Sequence, residues 1–171
     1  ASSLLQSCPT SSAIFDIGQH GSGTMGFHGR DLRNGRCSID GQIYLLTTVT
    51  HQREPLFHQW SAASAVAREL HQLTSTSILA WVLMPDHLHC LVQLNGHSLS
   101  DFMQSLKSLT AISLNKALKR TGKVWQSGYH DYALRHDEDL KAAARYLVAN
   151  PLRAGLVKSL REYSFWNAVW L

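Results

Sequence analysis

Ser77-Ile-Leu-Ala-Trp-Val-Leu-Met-Pro-Asp-His-Leu-His-Cys-Leu-Val92 is an apolar run broken once, at Pro85-Asp86. It reads as two strands, Ile78 to Met84 and His87 to Leu94, joined by a tight turn. Successive side chains of a strand point to opposite faces. Leu88, Cys90 and Val92 therefore share one face, suited to a core, while His87 and His89 share the other. Two neutral imidazoles side by side on a rigid strand make half of a divalent-cation site. A surface pair, or hydrogen-bonded core histidines, would show the same spacing.

Downstream, Asp137-Glu-Asp-Leu-Lys-Ala-Ala-Ala-Arg-Tyr-Leu-Val-Ala-Asn150 reads as a helix. Asp137 is the expected N-cap, the acidic residues suit the positive helix start, and the alanines favour propagation. Pro151 pushes Asn150 toward the helix end. Tyr146 and Asn150 are four residues apart, so a phenol and an amide share one helical face. A surface Tyr followed by a helix-ending Asn is the plainer reading of that pair alone.

Other elements lie between and before these motifs. Gln42 to Thr50 is a β-branched and aromatic run, hence a first strand. Pro55 is expected to open a helix whose apolar face is Leu56, Trp60, Ala63, Ala67, Leu70 and Leu73. Ser98-Leu-Ser-Asp101 resembles a capping box, before a helix with Leu99, Phe102, Met103, Leu106, Leu109 and Ile112 on its apolar face. Gly122 ends that region, and Tyr129 to Arg135 is a fourth strand. The order βαββαβ predicts an α+β fold with a ferredoxin-like antiparallel sheet, both helices on one face, and an additional C-terminal helix carrying Tyr146.

With 171 residues, 44% of them hydrophobic, the chain can bury one proper core. No apolar run is long enough to cross a membrane as a helix. Lys and Arg number 16 against 12 Asp and Glu, giving a formal charge of +4 and a pI near 9.1. That mild basic excess suits a polyanionic partner and is also found in proteins that bind none. Cys8, Cys37 and Cys90 are odd in number and far apart, with no disulfide framework, so a reducing cytoplasm is expected. No secretory signal pattern opens the sequence.

Residues 1–24 are rich in Ser and Gly and read as an added or disordered leader, or as a natural flexible arm, with Met25 as a candidate start. Residues 25–171 read as a single domain. Arg30, Arg33 and Arg36 stand among glycines, either as phosphate contacts or as a solvated loop.

Met84-Pro-Asp-His-Leu-His-Cys-Leu-Val92, Val124-Trp-Gln-Ser-Gly-Tyr129 and Arg145-Tyr-Leu-Val-Ala-Asn-Pro-Leu-Arg-Ala-Gly-Leu-Val157 together resemble the HUH single-tyrosine transposase superfamily. The match is nearest to its REP-associated branch and runs from about Gly35 to Leu171. The resemblance implies that Tyr146 is the nucleophile and that its helix lies near the histidine face. It implies a metal held by His87 and His89, with Asn150 where insertion-sequence relatives carry Gln, one methylene longer. Mg or Mn suits a site completed by oxygens, and two histidines would equally take Zn.

The implied chemistry is metal-dependent single-stranded DNA endonuclease and strand transfer through a 5′-phosphotyrosine. The implied partner is a short imperfect palindrome folded as a hairpin beside a guide tetranucleotide. In that branch the N-terminal segment helps to read DNA, which favours DNA contacts for Arg30, Arg33 and Arg36. Arg145 and Arg153 flank Tyr146 and would touch phosphates, or merely cap the helix end. Trp125 and Gln126 would stack on or hydrogen-bond a base, unless Trp125 is core. Tyr44, Tyr129, Tyr132 and Tyr163 do not stand in a motif that matches the Tyr146–Asn150 pattern. The REP-associated branch is typically monomeric, whereas insertion-sequence relatives swap catalytic helices as dimers. Two alternatives remain: a hairpin-binding protein with weak or lost cleavage, and a metal enzyme of unrelated chemistry with Tyr146 structural.

Overall fold

The computed structural model describes residues 38–73, 77–135 and 139–170. The leader expected over residues 1–24, and Arg30, Arg33 and Arg36, lie outside the described residues. The first strand, β1 (Ile43–Val49), buries Tyr44, Leu46 and Thr48 on one face and leaves Leu45 and Thr47 half-buried on the other. The apolar run at the heart of the sequence forms β2 (Ser77–Met84) and β3 (His87–Gln93), with Met84 paired to His87 across the Pro85-Asp86 turn. Its continuous hydrophobicity follows from burial on both sides. Trp81 and Leu83 enter one core, and Ala80, Val82 and Met84 enter a second core on the opposite face.

Helices α1 (Trp60–Gln72) and α2 (Leu99–Ala117) cover the first core together. There Ala62, Ala63, Val66 and Leu70 of α1 meet Phe102, Met103, Leu106 and Leu114 of α2 over Leu88, Cys90 and Val92 of β3. Ser98 is the N-cap, as the expected capping box requires: its Oγ accepts from the Asp101 amide at 3.1 Å, while the Asp101 carboxylate accepts from Ser98 Oγ at 2.7 Å. Strand β4 (His130–Ala133) joins the outer edge of β1, shorter than the Tyr129–Arg135 span expected.

The helix carrying Tyr146 is α3 (Leu140–Val148), followed at once by a single turn, α4 (Asn150–Arg153). Its N-cap is Asp139, whose Oδ1 accepts from Lys141 N and Ala142 N, so the cap stands two residues later than expected. Ala144, Leu147 and Val148 pack on Ala80, Val82, Met84 and Leu91, forming the second core. Truncating a buried leucine such as Leu147 costs about 2–5 kcal/mol, so α3 is firmly seated on this face.

The sheet order is β4-β1-β3-β2-β5, antiparallel throughout. Its first four strands form the expected ferredoxin-like α+β arrangement. The fifth, β5 (Trp166–Ala168), was not expected; it extends the sheet beyond β2.

Two helix faces differ from expectation. Pro55 does not open α1; it precedes a separate 3-10 turn, Leu56–His58, that buries Leu56 and Phe57. Trp60 is 65% exposed, and Leu109 and Ile112 are 41% and 63% exposed. Which part of an amphipathic stripe is covered depends on where the sheet sits, and hydrophobic spacing alone does not specify that.

Candidate active site on the sheet face beneath the third helix

On β3, Leu88 and Cys90 enter the core beneath α1 and α2, so His87 and His89 emerge on the α3 side with Leu91. Their rings are edge to face, with centroids 4.7 Å apart. Each ring has its Nδ1 engaged by the protein. His87 Nδ1 lies 2.5 Å from Asp86 Oδ1, and His89 Nδ1 lies 2.7 Å from Thr47 Oγ1. Thr47 is the cross-strand partner of His89, which puts its hydroxyl within reach on the same face. Protein partners on both Nδ1 atoms leave the two Nε2 atoms as ligand positions, the usual arrangement of metal-binding histidines.

Burial, with the neighbouring charge of His87 and that of Arg153, pushes His89 down to about 3, against the opposing pull of Asp86. His89 is thus neutral at physiological pH, the state in which an imidazole ligates. Burial raises the Asp86 carboxyl, but hydrogen bonds and charge from His87 and Arg53 outweigh it and hold the group below its ordinary value. Among the described residues no three His, Cys, Asp or Glu gather as a cation site. A site here therefore requires the two histidines plus neutral oxygens. Asn150 carries one such oxygen: its Nδ2 donates to Leu147 O at 2.8 Å, so the nitrogen end of the amide is the end engaged. This donor set, with both imidazoles pre-oriented and one neutral, fits a divalent ion.

Tyr146 is half-buried on α3, and the Arg153 guanidinium lies 4.0 Å from its ring centroid. The Arg153 charge also contributes to the lowered His89 pKa. Arg145 is exposed on α3.

The structure separates Trp125 from Gln126. The Trp125 ring is buried beside Phe57, and its indole N–H donates to Thr110 Oγ1 at 2.9 Å. It is a core residue and is not available to stack on a base, which corrects that part of the sequence reading. Gln126 is exposed, its backbone tied to Val49 O and to Lys107 Nζ. The other tyrosines have structural positions. Tyr44 is buried, Tyr129 and Tyr132 pack against the two cores, and the Tyr163 hydroxyl donates to Leu83 O. Sequence reasoning missed Asp86, Thr47 and Arg53. Asp86 read only as a turn residue, and Thr47 becomes a histidine partner only once the strand register is known.

A family model described as "Transposase IS200 like" matches residues 38–150. A REP-associated tyrosine transposase from Escherichia coli (strain K12) is 26% identical over 88 residues, 52% of this chain and 52% of that protein. The aligned part thus spans about half the length of that relative. A solved structure of the REP-associated tyrosine transposase bound to a REP hairpin superimposes with a TM-score of 0.61 and 24% identity, covering 77% of this chain and 79% of that one. The family match runs through the strand bearing His87 and His89 and the helix bearing Tyr146, and with two thirds of the sequence inside it this chain belongs to the IS200-like transposase family.

Proposed function

We propose that this protein is a single-stranded DNA endonuclease and strand transferase that acts on hairpin DNA of the REP type with Tyr146 as nucleophile. The observation that supports this most is the docking of the Tyr146 helix on the histidine face of the sheet, with Arg153 against the Tyr146 ring. The hairpin substrate is taken from the structural relative solved with one. In the reaction Tyr146 Oη attacks a backbone phosphorus. The Tyr–O–P bond forms, the bond to the 3′ oxygen breaks, the phenol gives up its proton and the departing 3′ oxygen gains one. The resulting 5′-phosphotyrosine keeps the phosphodiester energy, so an incoming 3′-hydroxyl can reverse the step.

His87, His89 and Asn150 would hold a Mg or Mn ion, which would supply charge stabilisation at the scissile phosphate. Arg145, Arg153 and Gln126 would contact the DNA, with Arg30, Arg33 and Arg36 as further contacts. Residues 25–171 would act as one domain, as a monomer in the cytoplasm. No helix among the described residues is long and apolar enough to cross a membrane.

The test is a denaturing gel with end-labelled single-stranded hairpin DNA and Mn or Mg, run beside Tyr146→Phe. A protein-linked label or discrete nick that disappears in the variant supports the nuclease. Normal cutting by the variant overturns the nucleophile. Binding without cutting, across several flanking sequences, moves the function to a hairpin-binding protein.

A further inference from the structure

We infer that Asp86 is a positioning residue that fixes His87 with its Nε2 toward the bound cation, which deepens and rests on the function proposed above. Asp86 sits in the two-residue turn between β2 and β3, where a short polar residue would be expected for turn chemistry alone. The backbone needs of that turn are met elsewhere: the Asp86 carbonyl accepts from Thr50 N at 2.8 Å and from Thr50 Oγ1 at 2.9 Å. The carboxylate is therefore free for another task, and both its oxygens are used. Oδ1 takes His87 Nδ1 at 2.5 Å, and Oδ2 takes Arg53 Nη1 at 3.1 Å.

Arg53 reaches it from a segment where Gln52 and Arg53 both have a φ of 55°, a left-handed conformation that non-glycine residues rarely adopt in succession. Such strain persists only where surrounding contacts hold it. Thr50 anchors the carbonyl and Arg53 orients the carboxylate, so the acceptor facing His87 is fixed before any ligand arrives. A histidine whose Nδ1–H is held by a carboxylate has one tautomer and one ring orientation, and its Nε2 lone pair is available to a cation. The Thr47 hydroxyl occupies the same position on His89. Thr47 is neutral, so Asp86 is the partner that makes the pair electronically unequal.

The experiment combines two readouts on the whole chain. Mn2+ binding is measured by electron paramagnetic resonance titration. The His87 tautomer is measured by proton–nitrogen correlation NMR on metal-free protein at mildly alkaline pH. The wild type should carry its His87 proton on Nδ1. Asp86→Ala should lose that preference and weaken Mn2+ binding about 10- to 100-fold. Asp86→Asn, which keeps an acceptor oxygen, should restore the tautomer and most of the affinity. Arg53→Ala, which leaves the turn and Asp86 in place, should give a smaller loss. An Asp86→Ala protein with wild-type tautomer and wild-type Mn2+ affinity overturns the positioning role alone. A wild-type protein that binds no Mn2+ overturns the cation site, and the positioning role with it.

Discussion

The guanidinium of Arg153 stands 4.0 Å from the centre of the Tyr146 ring, and its charge acts on His89 across the sheet face. Arg153 lies seven positions after Tyr146, about two helical turns, and the short α4 continues α3 closely enough to keep them on one side. With Tyr146 as the proposed nucleophile, a cation against its ring stands near the charge that would develop on the phosphate. Arg153→Ala is expected to lower the nicking rate about 10²-fold. Arg153→Lys should recover part of it, because a point charge replaces the planar fork imperfectly. Single-turnover cleavage of a labelled hairpin checks this, and an unchanged rate in Arg153→Ala would limit the residue to packing on the ring.

Trp125 separates a core role from a DNA-contact role. Its ring is buried against Phe57 and its indole N–H is bonded to Thr110. Trp125→Ala is expected to cost about 3–5 kcal/mol of stability. Trp125→Phe, which keeps an aromatic ring but loses the hydrogen bond, should cost about 1 kcal/mol. Urea unfolding measures both. Hairpin affinity of Trp125→Phe should match the wild type, since no base reaches this ring.

These residues mark where sequence ceases to determine position. The His-Leu-His alternation is legible because strand side chains have a strict period of two, and the partition of Leu88 and Cys90 from His87 and His89 is what that period requires. Tyr146 is legible as a helix residue for the same kind of reason, whereas Asn150, expected at the end of that helix, stands at the start of α4. Trp125 is not, because an isolated tryptophan carries no period. Trp60, Leu109 and Ile112 fit the helical stripe yet lie outside the covered arc. Strand β5 is three residues long, too short for alternation to register, and it exists because β2 offers a free edge. Asp86 is hidden by its turn, since turn chemistry already accounts for an aspartate there.

The seat of the Tyr146 helix begins at Asp139, whose Oδ1 accepts from Lys141 N at 2.8 Å and Ala142 N at 3.2 Å. A nine-residue helix has little stability of its own, so its cap matters. Asp139→Ala is expected to cost about 1 kcal/mol. Amide exchange should quicken across α3 while β2 and β3 keep their protection. Equal quickening in all three elements would mean that the helix opens only with the whole sheet.

Tyr163 gives a pH signature and an internal control for the nucleophile. Its hydroxyl donates to Leu83 O at 2.5 Å, and burial pushes the phenol up from 10 to about 12. The folded state therefore holds this proton more tightly than the unfolded chain. The stability it contributes is complete below pH 10 and is lost progressively as pH rises toward 12. Tyr163→Phe should be less stable than wild type by about 1 kcal/mol at neutral pH, the worth of one hydrogen bond. The gap should close as pH rises above 10 and reverse in sign toward 12, because the variant has no phenol to ionise. Urea midpoints across that range measure it, and a gap independent of pH would mean that the phenol ionises equally in both states. Cleavage by Tyr163→Phe should equal the wild type at neutral pH. A phenol kept protonated and committed to a backbone carbonyl is a poor attacking group, in keeping with the proposal of Tyr146 as nucleophile.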